Sequence, residues 1–252
     1  MSLSQIVTPI TLAFLAGALL SGAGHAKDWS EIAHFEPPLK TEKVTERAAG
    51  EPDREITCTR YADLVVRQRD TDSSDPDDAI LIPVKAGSSI DCKRAPGPEA
   101  HKIEVSGMIF MGRNGTFLFF EEADTNGIFP FVVFDAGTGR KLFEDASGYD
   151  GIDTFANENG TLKLGFRRAV RVDCSIPKQG AACWTRILRE EPVPQPVAAL
   201  AAPIKACADA YRSDKAPKDS ESIVSFDVRL VWTGGGPLEV QASGPLRCQA
   251  TR

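Results

Sequence analysis

Lys163, Arg167 and Arg171 recur every four residues, with Arg168 beside them. Residues an even number apart on an extended strand project from one face, so the three form a basic stripe suited to an acidic partner or an anionic polymer. The stripe stands out because the chain carries a formal net charge of −6. Such a pattern also suits the solvated side of an antiparallel sheet.

The acids offer a second chemistry. Glu121, Glu122, Asp124, Asp145, Asp150 and Asp153 flank a stretch holding seven phenylalanines between Phe117 and Phe143. Two carboxyl groups about 5–10 Å apart in a cleft hydrolyse glycosides when their surroundings drive their pKa values apart. Glu121 and Asp150 are the candidate pair, and the aromatic hairpins would form a sugar-binding wall. Solvated turns at strand ends would use the same acids without chemistry. The loops around Asp124 and Asp150 are also candidate docking surfaces.

Other chemistries lack their parts. A serine hydrolase needs a base beside its nucleophile. His34 lies in a polar leader, His101 precedes a strand, and no G-x-S-x-G occurs. No C-x-x-C exists and neither histidine neighbours a cysteine, so no zinc site is expected. Asp70-x-Asp72-x-Ser74 opens like a calcium loop, but Asp75 stands where a glycine is needed and Leu81 where a glutamate is. No catalytic residue, metal or cofactor is assigned from the sequence, and an acidic surface argues against nucleic acid.

The surroundings of these residues follow from the leader and the cysteines. Ile6 to Leu20 is apolar apart from Thr8, Pro9 and Thr11, and Gly24-His25-Ala26 puts small residues at −3 and −1 of a cleavage site. This reads as a secretory signal over 1–26, although Met1 to Gln5 lacks Lys and Arg. The run is short for a bilayer span, so no span is expected once the signal is removed. A periplasmic or secreted location follows. About 226 residues then remain, enough for one large or two small domains. The six cysteines Cys58, Cys92, Cys174, Cys183, Cys207 and Cys248 suit disulfides in that compartment. About fifteen pairings are open. Pairing sequence neighbours gives Cys58–Cys92, Cys174–Cys183 and Cys207–Cys248, with Pro177 and Gly180 suiting a reversal inside the second.

The positioning elements read mainly as strands. Residues 27–53 are polar, broken by Pro37, Pro38, Gly50 and Pro52, and read as a flexible segment or a strap. Ile56 to Gln68 leans to strand. Ile80, Ile82 and Val84 alternate, with Pro83 arguing for an edge. Asn114-Gly115 predicts a type I′ hairpin turn, as does the motif's recurrence at Asn159-Gly160. Val133 to Phe143, with Asp135-Ala136-Gly137-Thr138-Gly139, resembles one hairpin of propeller repeats. No second copy follows, so the likeness is to a turn.

Leu162, Leu164, Phe166, Val170, Val172 and Cys174 share one parity that Arg168 alone breaks, which points to a bulge or an edge. Val224, Phe226, Val228, Leu230 and Trp232, then Leu238, Val240 and Ala242, form a long amphipathic hairpin. Several aromatic runs are apolar on both faces, as strands buried on both sides are. Pro203 followed by Ile204, Cys207, Ala208 and Tyr211 gives the single expected helix.

The expected fold is therefore mainly β. Antiparallel sheets, sandwich or barrel-like, are stapled by disulfides and carry one short C-terminal helix. The expected organisation is a main β domain over 54–190, a proline-rich linker at 191–196 and a helix-plus-hairpin unit at 197–252, or one domain in which that hairpin completes the sheet. The composition suits a binding or interaction module for a protein or glycan, with a cell-envelope carbohydrate hydrolase as the alternative. Oligomeric state stays open.

Overall fold

In the computed structural model, residues 35–47, 53–69, 78–85, 90–94, 96–105, 107–122, 127–234 and 236–251 are described, apart from the side chains of Tyr149 and Asp150. Two antiparallel sheets organise the chain. The first holds five strands in sequence order: β1 (Lys40–Glu46), β2 (Arg54–Arg60), β3 (Leu64–Arg69), β4 (Asp78–Pro83) and β5 (His101–Glu104). The second holds seven: β6 (Ile109–Asn114), β7 (Phe117–Glu121), β8 (Ile128–Asp135), β9 (Lys141–Glu158), β10 (Thr161–Val172), β11 (Ser222–Thr233) and β12 (Leu238–Ala250). Each strand pairs with its sequence neighbours, because short turns leave an antiparallel return as the nearest partner.

The segment Ile56 to Gln68 is two strands. It reverses at Tyr61–Asp63, where Tyr61 N donates to Leu64 O at 2.7 Å. Contrary to the edge expected from Pro83, β4 lies between β3 and β5. Proline is tolerated there because β5 pairs only with Asp78 to Leu81, so Pro83 lies beyond the last pair that needs a donor. In the described part of the N-terminal segment, β1 lies against β2, and Phe35 packs on the Phe119 and Phe155 rings at 5.6 and 5.8 Å. A Cβ at Gly112 would stand 2.4 Å from the Phe35 ring, so glycine admits this strap.

The phenylalanine-rich strands β7 and β8 are buried on both faces. Leu118, Phe120, Val132 and Phe134 pack against Leu64, Val66, Leu81 and Ile103 of the first sheet. Phe117, Phe119, Phe131 and Val133 face a second core shared with β9 to β12. The seven-stranded sheet curls around that core. Phe117 and Trp232 touch with ring centroids 5.4 Å apart, although four strand intervals, about 19 Å in a flat sheet, separate β7 from β11. Asn157 Nδ2 donates across the same curl to Asn114 Oδ1 at 2.9 Å.

Four helices close one end of the curl: α1 (Ile176–Gln179), α2 (Ala181–Glu190), α3 (Gln195–Ala198) and α4 (Ile204–Asp214). Of these only the last is the expected helix. Ile176, Trp184, Ile187, Val197 and Cys207 enter the core, and the buried Tyr211 hydroxyl lies 2.8 Å from Ser222 Oγ at the start of β11. The stretch read as a linker is docked on the core through Val193 and the adjoining Val197, and β11 pairs with β10 along twelve residues. The C-terminal hairpin is part of the same sheet.

The two Asn-Gly motifs form different turns. Asn159 and Gly160 both have positive φ, 53° and 79°, as a type I′ turn requires. At the other, Asn114 pairs with Phe117, so Gly115-Thr116 is the loop and positive φ, 58°, falls on Gly115. That is the type II′ pattern, one residue later than expected, and it places Asn114 at the strand end where Asn157 reaches it.

Three disulfides join Cys58 to Cys92, Cys174 to Cys183 and Cys207 to Cys248. The first ties the chain around Ile90 onto the outer face of the first sheet. The second ties the end of β10 to α2, and the third ties α4 to β12. Among the described residues no helix is long and apolar enough to cross a membrane.

Candidate functional site

The stripe residues Lys163, Arg167 and Arg171 lie at alternate-face positions of β10, opposite Val231, Asp227 and Ile223 of β11. Each has an acid nearby. Lys163 Nζ lies 2.5 Å from Glu158, Arg167 Nε 3.4 Å from Asp227, and Arg171 Nε 3.7 Å from Glu221. Asp227 also receives Arg247 at 2.7 Å. Burial, then the charge of Arg247, lowers the Arg167 pKa. The stripe is therefore a mixed-charge face and not a bare cationic track. Pairs this exposed contribute about 0–1 kcal/mol each, so an incoming carboxylate or amine exchanges for them at little cost.

A trough of about 450 Å³ opens on this face. Its shape follows from the register. Thr154, Gly165, Arg229 and Gln241 form one cross-strand row, and Ala156, Lys163, Val231 and Glu239 form the next. The floor is low where Gly165 and Val231 stand; the longer polar chains rise around it. Gly165 is dictated by its neighbours: a Cβ there would meet Asp153 Oδ1 at 2.4 Å and the Thr154 side chain at 3.0 Å. Both crowd it because β9 bulges: its pairing with β10 skips Asp153 between Thr154–Gly165 and Ile152–Phe166, and then jumps from Ile152–Phe166 to Ser147–Arg168. Among the described residues Arg229 forms no ion pair. The trough presents donors and acceptors of both signs over an apolar floor.

The bulge also explains Arg168. It stands on the core-facing parity and is held by Asp145, whose two carboxylate oxygens each lie 2.5 Å from a guanidinium nitrogen, and by Pro192 O at 3.3 Å. The Asp145 side chain is 5% exposed. Burial raises its pKa and the Arg168 hydrogen bond works against that. Asp145 is thus a buried structural acid. Burial likewise raises the pKa of nearby Glu191.

A second cationic cluster is structural as well. Arg113 joins Asp63 at 2.5 and 3.0 Å, donates to Gly115 O at 2.7 Å and stacks over Tyr61. Burial pushes the Tyr61 hydroxyl up to about 12, against the opposing pull of Arg113.

The remaining expected site residues lie in part outside the described residues. Asp124 and the aspartates between Arg69 and Asp78 lie outside the described residues. Asp150 sits in the β9 bulge, past the Ile128–Gly148 pair that ends the β8 register, and its side chain is outside the described part. Glu121 ends β7 in the row Ile109, Glu121, Phe131, Asp145. The two acids therefore share no row. The aromatic wall expected beside them is core: Phe117, Phe119, Phe120 and Phe131 are fully buried. Among the described residues no cluster of three His, Cys, Asp or Glu side chains forms a metal-sized site.

Sequence reasoning missed Thr154, Arg229, Glu239 and Gln241 as a group. Arg229 is legible as polar on an amphipathic strand, but its meeting with Gly165 depends on register. Comparison with family models, with curated proteins and with solved structures finds no match for the chain. Fold and site define a disulfide-stapled, two-sheet antiparallel β protein with a polar trough on its longer sheet.

Proposed function

We propose that the chain is exported, loses residues 1–26 and acts outside the reducing cytoplasm as a non-enzymatic module that docks a protein partner on the β9–β12 face. The observation that carries this reading is the trough around Gly165. A concave, mixed-charge surface rimmed by Lys163, Arg229, Glu239 and Gln241 suits polar side chains of a protein. A protein is favoured over a glycan because the phenylalanines that would stack on sugar rings are spent in the two cores. Three disulfides make the sheet a rigid platform for such a surface and fit an oxidising compartment.

The test is site-specific photo-crosslinking in the native compartment. A photoreactive residue replacing Lys163 is expected to capture one discrete protein. The same residue replacing Lys205, exposed on α4, is expected to capture none. Capture from both positions alike, or from neither, contradicts the proposed surface.

A further inference from the structure

The edges of the two sheets are treated unequally. An open edge presents unpaired backbone donors and acceptors and is usually blunted by charge, shortness or a cover. In the first sheet, β1 carries Lys40, Glu42, Lys43 and Glu46, and β5 has four residues. In the second sheet β6 is covered: Phe110 N donates to Gln68 Oε1 at 2.9 Å, and Glu36 N to Arg113 O at 2.8 Å. On β12 the far half is held beneath the helices by Cys248 and by Leu200, which packs at Gly244. The near half, Leu238 to Ser243, has no such protection. Among the described residues nothing pairs with its outer side, and Val240, on the core-facing parity opposite Leu230, is 44% exposed.

We propose that this edge pairs antiparallel with the same edge of a second copy, about a two-fold axis through Val240. That register sets Val240 against its own counterpart and Leu238 against the second copy's Ala242, which covers the exposed apolar position. It also sets the second copy's Glu239 beside Gln241, in the row of Arg229. Arg229 and Glu239 both lack an ion-pair partner among the described residues of one chain, and the pairing supplies each to the other twice over. Shifting the axis to Gln241 moves Glu239 out of that row and leaves Val240 facing Ala242. A short edge buries less than a standard interface, so association on the order of micromolar is expected. The joined sheets would carry both troughs on one continuous face. The self-pairing draws on Arg229 and Glu239, which also rim the trough, but it is read from association of the chain with itself, so either reading can fail while the other stands.

The experiment is sedimentation equilibrium of the oxidised protein across micromolar concentrations, joined to cysteine crosslinking. The wild-type chain is expected to form a reversible dimer. Residues opposed across an antiparallel pair have Cα atoms about 4.5–5.5 Å apart, within disulfide reach. Val240→Cys is therefore expected to crosslink to itself, with the three native bridges retained by mass. Glu239→Cys alone, facing Gln241, is expected not to. Glu239→Arg should weaken association at least about tenfold, the equivalent of 1.4 kcal/mol, and adding Arg229→Glu to the same chain should restore it. A monomer at all concentrations overturns the proposal. So does faster self-crosslinking of Glu239→Cys than of Val240→Cys, or capture of a different protein by the Val240→Cys variant in place of a second copy.

Discussion

Replacing Arg168 with Met is expected to destabilise the protein by about 3–5 kcal/mol at about pH 7, because it leaves the Asp145 carboxylate buried without its counter-charge. Both guanidinium contacts of Asp145 come from this one residue. Urea unfolding measures the loss. The double variant Arg168→Met/Asp145→Leu is expected to recover most of it, since two apolar groups remove the desolvation penalty together with the attraction. Recovery in the double variant distinguishes an unpaired charge from simple loss of packing.

The pH dependence has a defined sign. Burial sets the folded-state pKa of Asp145 above its unfolded value of 3.8. The folded protein therefore binds this proton more tightly than the unfolded chain. The associated stabilisation is complete below the unfolded value and is lost as pH rises through the folded one. Without Arg168 the folded pKa rises further, so the deficit of Arg168→Met should shrink as pH falls from neutral. A deficit that is constant with pH would mean that the ion pair is not its source.

Breaking the Cys207–Cys248 bridge by paired serine substitution is the second large effect. The two cysteines are 41 residues apart, and loop entropy alone gives about 4 kcal/mol. The bridge has a structural task besides. Cys207 is fully buried on α4, and among the described residues β12 has a partner strand on one side only, so the bridge holds the edge strand and the helix to one core. The Cys174–Cys183 bridge spans 9 residues, for which the same relation gives about 2.7 kcal/mol. Urea unfolding of the two serine pairs is expected to rank Cys207–Cys248 as the more costly loss. Equal or reversed losses would place the contribution of the bridges in native contacts rather than in chain entropy.

The sequence discloses those parts of this fold that rest on local periodicity. The two-residue alternation in β10 and β11 survives because each strand has one face on the core and one towards solvent. Arg168 marks the bulge because a charge on the core parity needs both a partner and an irregular ladder to admit it. The helix α2 is hidden by its neighbours: its buried residues Cys183, Trp184 and Ile187 do fall at helical spacing, but Pro177 and Gly180 just before them read as a tight reversal. The aromatic strands are legible as buried on both faces, but a phenylalanine run does not say which two layers enclose it. The trough is illegible for a different reason. It is made by the absence of a side chain at Gly165, and the meaning of that absence depends on which residues of β9 and β11 lie opposite.

The proposed role requires a chain that leaves the cytoplasm and folds around its disulfides. The most direct measurement is the intact mass of the protein recovered from its native cell, alkylated under denaturing conditions without reductant. A chain beginning at Lys27 with no alkylated cysteine is expected. A chain that retains Met1 to Ala26 and carries six alkylated thiols would contradict it.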